Sequence, residues 1–193
     1  QLIDTPDGWT SLDAYLADLR LALADLHALQ AHPVEQSVRG GTQTSQNLLA
    51  SEHPAIRAFF QAFEGQLAAY RAAIGEGPDM FRARNGGGHR VLGAWSVRLR
   101  PGGFHVDHIH PQGWISSACY IDVPQALGDD TDRAGWLRFG APPIPTRPLL
   151  EAEHFVRPQP GRLALFPSYM WHGTVPFGGD DVRPTIAFDV VPD

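Results

Sequence analysis

Histidines in the second half of the chain have the residue type and the spacing of metal ligands. His108 and His110 are two residues apart in an extended segment, so their side chains point to the same side. His172, on a later strand, can close a three-point cage on a divalent metal and leave the opposite coordination positions open. Imidazole suits iron, copper and zinc alike, so the ligand type by itself does not select the metal.

A second pair with the same spacing, His105 and Asp107, overlaps the first pair in opposite strand phase. We therefore expect only one pair to face the site. Two histidines and a carboxylate are a usual ligand set for iron, so Asp107 is the alternative third ligand. His108 and His110 lie just before Pro111, at the end of a predicted strand where an open metal site belongs. We predict His108, His110 and His172 as the metal ligands and the catalytic centre.

An anion anchor follows the third histidine. Arg183 lies eleven residues after His172, and by strand alternation Thr185 shares its face. A guanidinium matches a carboxylate with two parallel hydrogen bonds, and a nearby hydroxyl adds another donor. A metal with open positions beside such an anchor is typical of an oxygen-activating iron enzyme.

Composition excludes several other classes of protein. The net charge of −6 argues against nucleic-acid binding, and no apolar run approaches the ~18 residues of a membrane span. Cys119 is the single cysteine, so an intrachain disulfide and a four-thiolate metal site are excluded, and a reducing cytoplasm is the expected location. The chain starts at Gln1 without a Met, so we expect a fragment or a processed product.

The first part of the chain reads as helical. Leucines at spacings of four and three predict one amphipathic helix, with Thr10 or Ser11 as its cap. A second apolar stripe, beginning at Ser51 as cap and ending near Gly75 and Gly77, predicts another. The two stripes are Leu12, Leu16, Leu19, Leu23 and Leu26, and Ile56, Phe60, Phe63, Leu67, Tyr70 and Ile74. The polar segment 36–44 between them is typical of a loop. Residues 1–88 are therefore predicted to be a helical region that packs on the rest.

Residues 89–193 are predicted to be a β core. Short runs with strand character are separated by turns rich in Pro, Gly and Asp, and a Pro-rich excursion spans 140–160. The absence of helices between these runs indicates an antiparallel sandwich or barrel. The length of 193 residues favours a single structural domain overall. The predicted runs are 91–100, 103–110, 114–123, 135–139, 162–166 and 185–191.

These motifs resemble the iron(II)/2-oxoglutarate-dependent oxygenase superfamily, with prolyl-hydroxylase-like features, from Trp95 to Pro192. Segment 102–110 resembles the family segment that carries His-x-Asp, with His110 in place of the Asp. Segment 116–121 resembles the strand whose Tyr contacts the cosubstrate, which gives that role to Tyr120. Arg183-Pro184-Thr185 looks like the family's Arg-x-Ser/Thr carboxylate anchor. The chain is also similar to a bacterial group of oxygenases whose domain often follows tetratricopeptide repeats, so an N-terminal repeat region is expected to be missing here.

The resemblance implies a mainly β fold: a double-stranded β-helix, or jelly-roll, packed against two or more N-terminal α-helices. It implies Fe(II) as cofactor and 2-oxoglutarate as cosubstrate, the latter bound by Arg183, Thr185 and Tyr120. The implied enzyme is a hydroxylase, which couples oxidative decarboxylation of 2-oxoglutarate to C–H oxidation of a small molecule or a peptide.

Two other functions fit the same residues. Three-histidine iron sites occur in dioxygenases that need no oxo acid, and a metal could also stabilise a non-catalytic jelly-roll module. The anchor at Arg183 favours the 2-oxoglutarate interpretation. The apolar helix faces could also support a homodimer.

Overall fold

The computed structural model describes residues 1–27 and 36–193 of the chain. Within these residues, three α-helices and eight β-strands form the fold. The helices are α1 (Leu12–Ala24), α2 (Pro54–Ala62) and α3 (Glu64–Ile74). The strands are β1 (Val38–Gln43), β2 (His89–His105), β3 (Ile115–Tyr120), β4 (Leu137–Phe139), β5 (His154–Val156), β6 (Leu163–Pro167), β7 (His172–Thr174) and β8 (Arg183–Pro192).

The strands pair in an antiparallel manner in two sheets. One sheet has the order β1-β2-β8-β3-β6 and the other the order β5-β4-β7. Phe139 of β4 packs edge-to-face on Phe166 of β6, with ring centroids 5.0 Å apart, so the two sheets share apolar contacts. This is the mainly β jelly-roll with N-terminal helices that was expected, and the prediction of fold class is confirmed.

The helices cover one face of the larger sheet. Phe63, between α2 and α3, stacks on Phe188 of β8 with ring centroids 4.1 Å apart and ring planes at 17°. Both side chains are fully buried, in an apolar cluster that the three helices share with β3 and β8. Because each helix has one apolar face, this packing removes from water the surface that the two sequence stripes predicted.

The first predicted helix is present as α1. The hydroxyl of Ser11 accepts the N–H of Ala14 at 3.1 Å and caps the helix, as one of the two proposed caps. Leu26 lies beyond the last helical residue and is 38% exposed, so the stripe is one residue shorter than predicted. The buried members of the stripe are Leu16, Leu19 and Leu23.

The second stripe forms two helices, so the prediction of a single helix capped by Ser51 is wrong. The residue before a proline is driven to extended backbone, and His53 accordingly has φ −67° and ψ 126°. The helix therefore begins at Pro54, with the His53 ring accepting the N–H of Ala55. The break falls at Phe63, which has φ −109° and ψ −5° and packs on the sheet.

The polar segment predicted as a loop contains β1, an edge strand paired with β2. Gly40 has φ +63°, and a Cβ on it would lie 2.9 Å from the Cα of Gly103. Glycine is needed here because the backbones of two paired strands lie very close together. In the sequence alone, the same glycines are typical of a turn. For the same reason β2 runs through Gly102 and Gly103 as one strand where two were predicted. The boundary at residue 88 remains a prediction, although β1, which belongs to the predicted helical region 1–88, is part of the larger sheet.

One further difference concerns the Pro-rich excursion. The excursion 140–160 contains the short strand β5, which pairs with β4. Among the described residues, no helix has the length and apolarity needed to cross a membrane.

Candidate active site

Three imidazoles meet where the segment after β2 crosses β7. His172 is the first residue of β7, at the strand start where it was predicted. The backbone N–H groups of His108 and His172 each donate to the carbonyl of the other, at 2.9 and 3.0 Å. One ring nitrogen each from His108, His110 and His172 lies within 4.8 Å of the other two. The structure thus brings the predicted ligand set together.

Hydrogen bonds fix which ring nitrogen faces the centre of this cluster. His108 Nδ1 donates to the carbonyl of Val106 at 2.7 Å, and His172 Nδ1 donates to the carbonyl of Met170 at 3.0 Å. A carbonyl only accepts, so each Nδ1 carries the proton and each Nε2 keeps its lone pair. Both rings are therefore set in the tautomer that binds a metal through Nε2.

Burial keeps two of these rings neutral. Loss of water, together with the charge of the neighbouring imidazoles, lowers the pKa of His108 to about 4 and the pKa of His172 to about 2. Phe166 packs on His172 with ring centroids 4.6 Å apart and contributes to the apolar surroundings that keep water from the ring. A metal binds the neutral imidazole, so the environment favours the form that ligation needs.

The alternative ligand Asp107 lies outside the cluster. Its two oxygens accept hydrogen bonds from Arg138 Nε at 3.0 Å and from Arg138 Nη2 at 2.5 Å. This bidentate pair, with Asp107 only 8% exposed, uses both carboxylate oxygens. Its role is to tie the segment carrying His108 and His110 to β4.

His105 lines the same cavity as the cluster, so the expectation that only one of the two overlapping pairs faces the site is wrong. The strand β2 ends at His105, and the alternation of side chains does not continue into residues 106–110. The His105 ring stacks on His108 with centroids 5.7 Å apart, and its Nδ1 lies 2.9 Å from the hydroxyl of Ser37. Burial lowers the pKa of His105 well below its usual value.

Asp189 is a site residue that sequence reasoning missed. His110 Nδ1 donates to both of its oxygens, at 2.7 and 2.8 Å. The hydroxyl of Ser116 donates to Asp189 Oδ1 at 2.6 Å. Asp189 is 9% exposed and stands in the apolar run 186–191 of β8. That isolation was the available signal, because a buried carboxylate needs a partner.

The predicted anion anchor forms a group of buried polar atoms without partners. Arg183 is 2% exposed, and its Nη1 donates to the carbonyl of Gly135. Within the described part of the chain, three atoms of this group find no hydrogen-bond partner: Arg183 Nε, Thr185 Oγ1 and the Tyr120 hydroxyl. Tyr120 lies opposite Thr185 in the register of β3 and β8, and the Arg183 guanidinium is 5.6 Å from its ring. Burial raises the pKa of Tyr120 to about 12, so it stays a hydroxyl.

One cavity of about 1000 Å³ contains both the imidazole cluster and the anchor. Arg39 and Gln43 of β1, Trp95 of β2 and Pro143 of the β4–β5 connection also line it. Small-molecule sites commonly measure about 300–1,000 Å³, so this cavity has room for more than one small ligand.

A family model described as "Putative 2OG-Fe(II) oxygenase" matches residues 93–189, which is half of the chain. The chain belongs to this family. Fe(II) and 2-oxoglutarate (2OG), from which the family takes its name, are accordingly its cofactor and cosubstrate. The matched range includes the three clustered histidines and the anchor. No curated protein matches the chain.

Solved structures share the fold at low identity. A Pseudomonas putida prolyl-4-hydroxylase is 17% identical, with 100% of this chain and 91% of that chain covered and a TM-score of 0.61. HygX from Streptomyces hygroscopicus, with nickel, 2-oxoglutarate and hygromycin B bound, is 15% identical, with 97% and 81% covered and a TM-score of 0.59. A Trichoplax adhaerens prolyl hydroxylase in complex with a hypoxia inducible factor peptide is 14% identical, with 99% and 82% covered and a TM-score of 0.58.

Proposed function

We propose that this chain is a 2-oxoglutarate-dependent hydroxylase in which His108, His110 and His172 hold Fe(II). Arg183, with Thr185 and Tyr120, binds the distal carboxylate of 2-oxoglutarate. The substrate is a small molecule or a peptide that enters the same cavity. Membership of the oxygenase family supports the reaction class, and the geometry of the cavity supports the assignment of residues.

The donor set fits a ferrous ion. Three imidazoles within 4.8 Å of one another offer nitrogen ligands on one side of a centre, and the cavity leaves space on the other side. His110 stands where the related motif has an aspartate, so all three ligands are neutral. Imidazole is a normal ligand of iron, which makes this set chemically suitable.

The observation that carries the proposal is the set of three unpartnered atoms at Arg183 Nε, Thr185 Oγ1 and the Tyr120 hydroxyl. Leaving a buried polar group without a hydrogen bond costs about 1–3 kcal/mol, so three in one wall are expensive in the absence of a ligand. A carboxylate supplies acceptors for all three and a charge opposite to that of Arg183. The distal carboxylate of 2-oxoglutarate has this chemistry.

When bound, Fe(II) and 2-oxoglutarate would react with dioxygen to supply an oxidant for C–H bonds, one oxygen atom going to succinate with loss of carbon dioxide and the other to the substrate. The residues of this chain position the reactants and exclude water. The three histidines would hold the metal at the wall of the cavity, while Phe166 keeps His172 in apolar surroundings. Arg183 orients the cosubstrate by anchoring the end distant from the metal.

The decisive experiment is an anaerobic titration of the Fe(II)-loaded protein with 2-oxoglutarate, followed by visible absorption. We expect a weak metal-to-ligand charge-transfer band that saturates with the cosubstrate. If 2-oxoglutarate produces no absorption band and calorimetric titration shows no heat of binding, the proposed site is refuted.

The anchor assignment is tested with Arg183→Ala and Arg183→Lys. Removing one partner of a buried charged hydrogen bond costs about 2–5 kcal/mol, so Arg183→Ala should lose at least about thirtyfold in 2-oxoglutarate affinity. Arg183→Lys keeps the charge but lacks the planar fork, so an intermediate affinity is expected. Metal content, measured by anaerobic chelator competition, should stay at the parental level in both variants. Parental 2-oxoglutarate affinity in Arg183→Ala would show that the anchor is elsewhere.

The three-imidazole ligand set also occurs in dioxygenases that use no oxo acid. Oxygen consumption that proceeds at full rate without 2-oxoglutarate would favour that function over ours. Consumption coupled one-to-one with succinate formation excludes it.

A further inference from the structure

We propose that Asp189, acting through His110, supplies the negative charge that a carboxylate ligand would otherwise bring to the metal. This inference rests on the proposed function, because it assumes that His110 is a ligand. It makes Asp189 a positioning residue, since it contacts His110 and lies behind it. The ligand change from carboxylate to imidazole is thus compensated within the same chain.

The hydrogen bonds distinguish His110 from the other two ligands. His108 and His172 donate to neutral carbonyls, whereas His110 donates to a carboxylate with both oxygens within 2.8 Å. A carboxylate behind a ligating imidazole fixes its plane and raises its basicity as a ligand. His110 is therefore the most electron-rich of the three donors.

The surroundings of Asp189 leave its charge available to the metal. Among the described residues, the other hydrogen-bond partner of its side chain is the hydroxyl of Ser116, at 2.6 Å, and Ser116 is fully buried. Among the described residues, no Lys or Arg forms an ion pair with Asp189, in contrast to Asp107 with Arg138. Burying a carboxylate without a cation is costly, and a divalent ion on the far side of His110 offsets that cost.

Charge balance in the cavity supports the same role. The metal brings two positive charges and Arg183 one, while 2-oxoglutarate brings two negative charges and Asp189 one. Asp107 and Arg138 neutralise each other. Arg39 also lines the cavity, but it is exposed and its charge is screened by water. The buried groups of the assembled site are therefore neutral in sum with Asp189 present, and they carry an excess positive charge without it. Uncompensated charge in a low-dielectric interior is strongly unfavourable.

The test is Asp189→Asn, which keeps the shape and an oxygen acceptor for His110 while removing the charge. Loss of such a partner typically lowers metal affinity by about 10- to 100-fold, and that loss is expected here. Affinity is measured with Co(II) alone, by competition with a chromophoric chelator and by the visible spectrum of bound Co(II). Parental Co(II) affinity in a folded Asp189→Asn protein would overturn the inference.

A second measurement separates charge from folding. At saturating Co(II), the Asn variant leaves the site more positive, so its affinity for 2-oxoglutarate should equal or exceed that of the parent. A merely structural defect would weaken both ligands together, and that result would contradict the proposal. If the parent itself binds neither Co(II) nor 2-oxoglutarate, the proposed function fails. If the parent binds both and the variant matches it, only the role of Asp189 fails.

Ser116→Ala is the matched control. It removes the hydroxyl that contacts Asp189 but retains the carboxylate, which is still held by His110. We expect Co(II) affinity close to that of the parent. A loss as large as that of Asp189→Asn would show that orientation by Ser116, and not charge, sets the affinity. If Asp189→Asn does not fold, Asp189→Ser, a smaller neutral substitution, takes its place in the Co(II) titration, and parental affinity in that variant would equally overturn the inference.

Discussion

Arg183 is a buried cation for which the described residues provide no anionic partner. It is 2% exposed and its Nη1 is used by a backbone carbonyl, yet its Nε points to no acceptor. Burial lowers the pKa of Arg183, which reflects the cost of keeping the charge there. Thr185 and Tyr120 beside it are equally unsatisfied. This arrangement is costly in the free protein, and the anion that we propose as its ligand would offset the cost.

Thr185→Val tests this conflict between binding and stability. The substitution keeps the shape and removes the unpartnered hydroxyl, so the ligand-free protein should be unchanged or stabilised by up to about 1 kcal/mol. The affinity for 2-oxoglutarate should fall, because a donor to the carboxylate is lost. Urea unfolding of the ligand-free protein and calorimetric titration of the cosubstrate measure the two effects. Destabilisation of the ligand-free variant would show that the hydroxyl has a partner in the resting state.

The residues of the site were predictable from the sequence to different degrees. Arg183 and Thr185 share a strand in regular alternation, so their common face followed from spacing. His105 was misjudged because strand geometry ends there. Asp189 contacts His110 across 79 residues of chain, and that contact depends on the register between β8 and an irregular segment. No local pattern encodes such a register.

At the scale of elements, His27 joins the end of α1 to the sheet. Its Nδ1 lies 2.9 Å from the hydroxyl of Thr42 in β1, and its Nε2 lies 3.0 Å from the hydroxyl of Ser96 in β2. Burial, together with the charge of Arg98, lowers the pKa of His27 to about 4. The ring is therefore neutral in the folded protein at neutral pH.

Lowering the pH should weaken the contacts of His27 with Thr42 and Ser96. The folded-state pKa is below the ordinary value of 6.5, so the unfolded chain binds a proton first as the pH falls. The contribution of His27 to stability is complete above about pH 6.5 and declines towards about pH 4. His27→Gln keeps hydrogen-bonding groups but does not titrate, so its free energy of unfolding should fall less steeply over this range. Urea unfolding at several pH values measures the slopes, and equal slopes would contradict the assignment.

Elements with a strong periodic pattern were predicted well, and those defined by close backbone contact were not. The leucine stripe of α1 identified its helix because packing and periodicity agree. The pairing of β1 depends on Gly40 lying against Gly103, and glycine composition reads as a turn when the partner strand is unknown. The break between α2 and α3 depends on Phe63 reaching Phe188, a tertiary contact that overrides helical periodicity.

At the scale of the whole molecule, one apolar cluster connects the helices to the strands that carry the site. Phe63 stacks on Phe188, which immediately precedes Asp189 in β8. The proposed division into a helical region and a β core therefore places an extensive contact at its boundary. We expect the two parts to unfold together.

Phe63→Ala tests this cooperativity. Truncating a buried phenylalanine costs about 3–5 kcal/mol, so the unfolding midpoint should fall strongly while the transition stays single. Phe60→Ala is the matched control, because Phe60 is only half-buried and should cost less. Helical circular dichroism and Co(II) release should follow the same denaturant curve in both variants. Separate curves would indicate that the β core survives without the helices.

The ion pair between Asp107 and Arg138 has a consequence for how such a chain can change over generations. It fastens the stretch bearing two of the histidines to β4, ahead of the long connection to β5. That connection, from residue 140 to 153, is largely exposed and reaches the cavity at Pro143. Substitutions, insertions or deletions there can change one wall of the cavity, while the ion pair between Asp107 and Arg138 keeps the imidazoles in place. Changes in the β4–β5 connection can therefore alter which substrates fit without displacing the three clustered histidines.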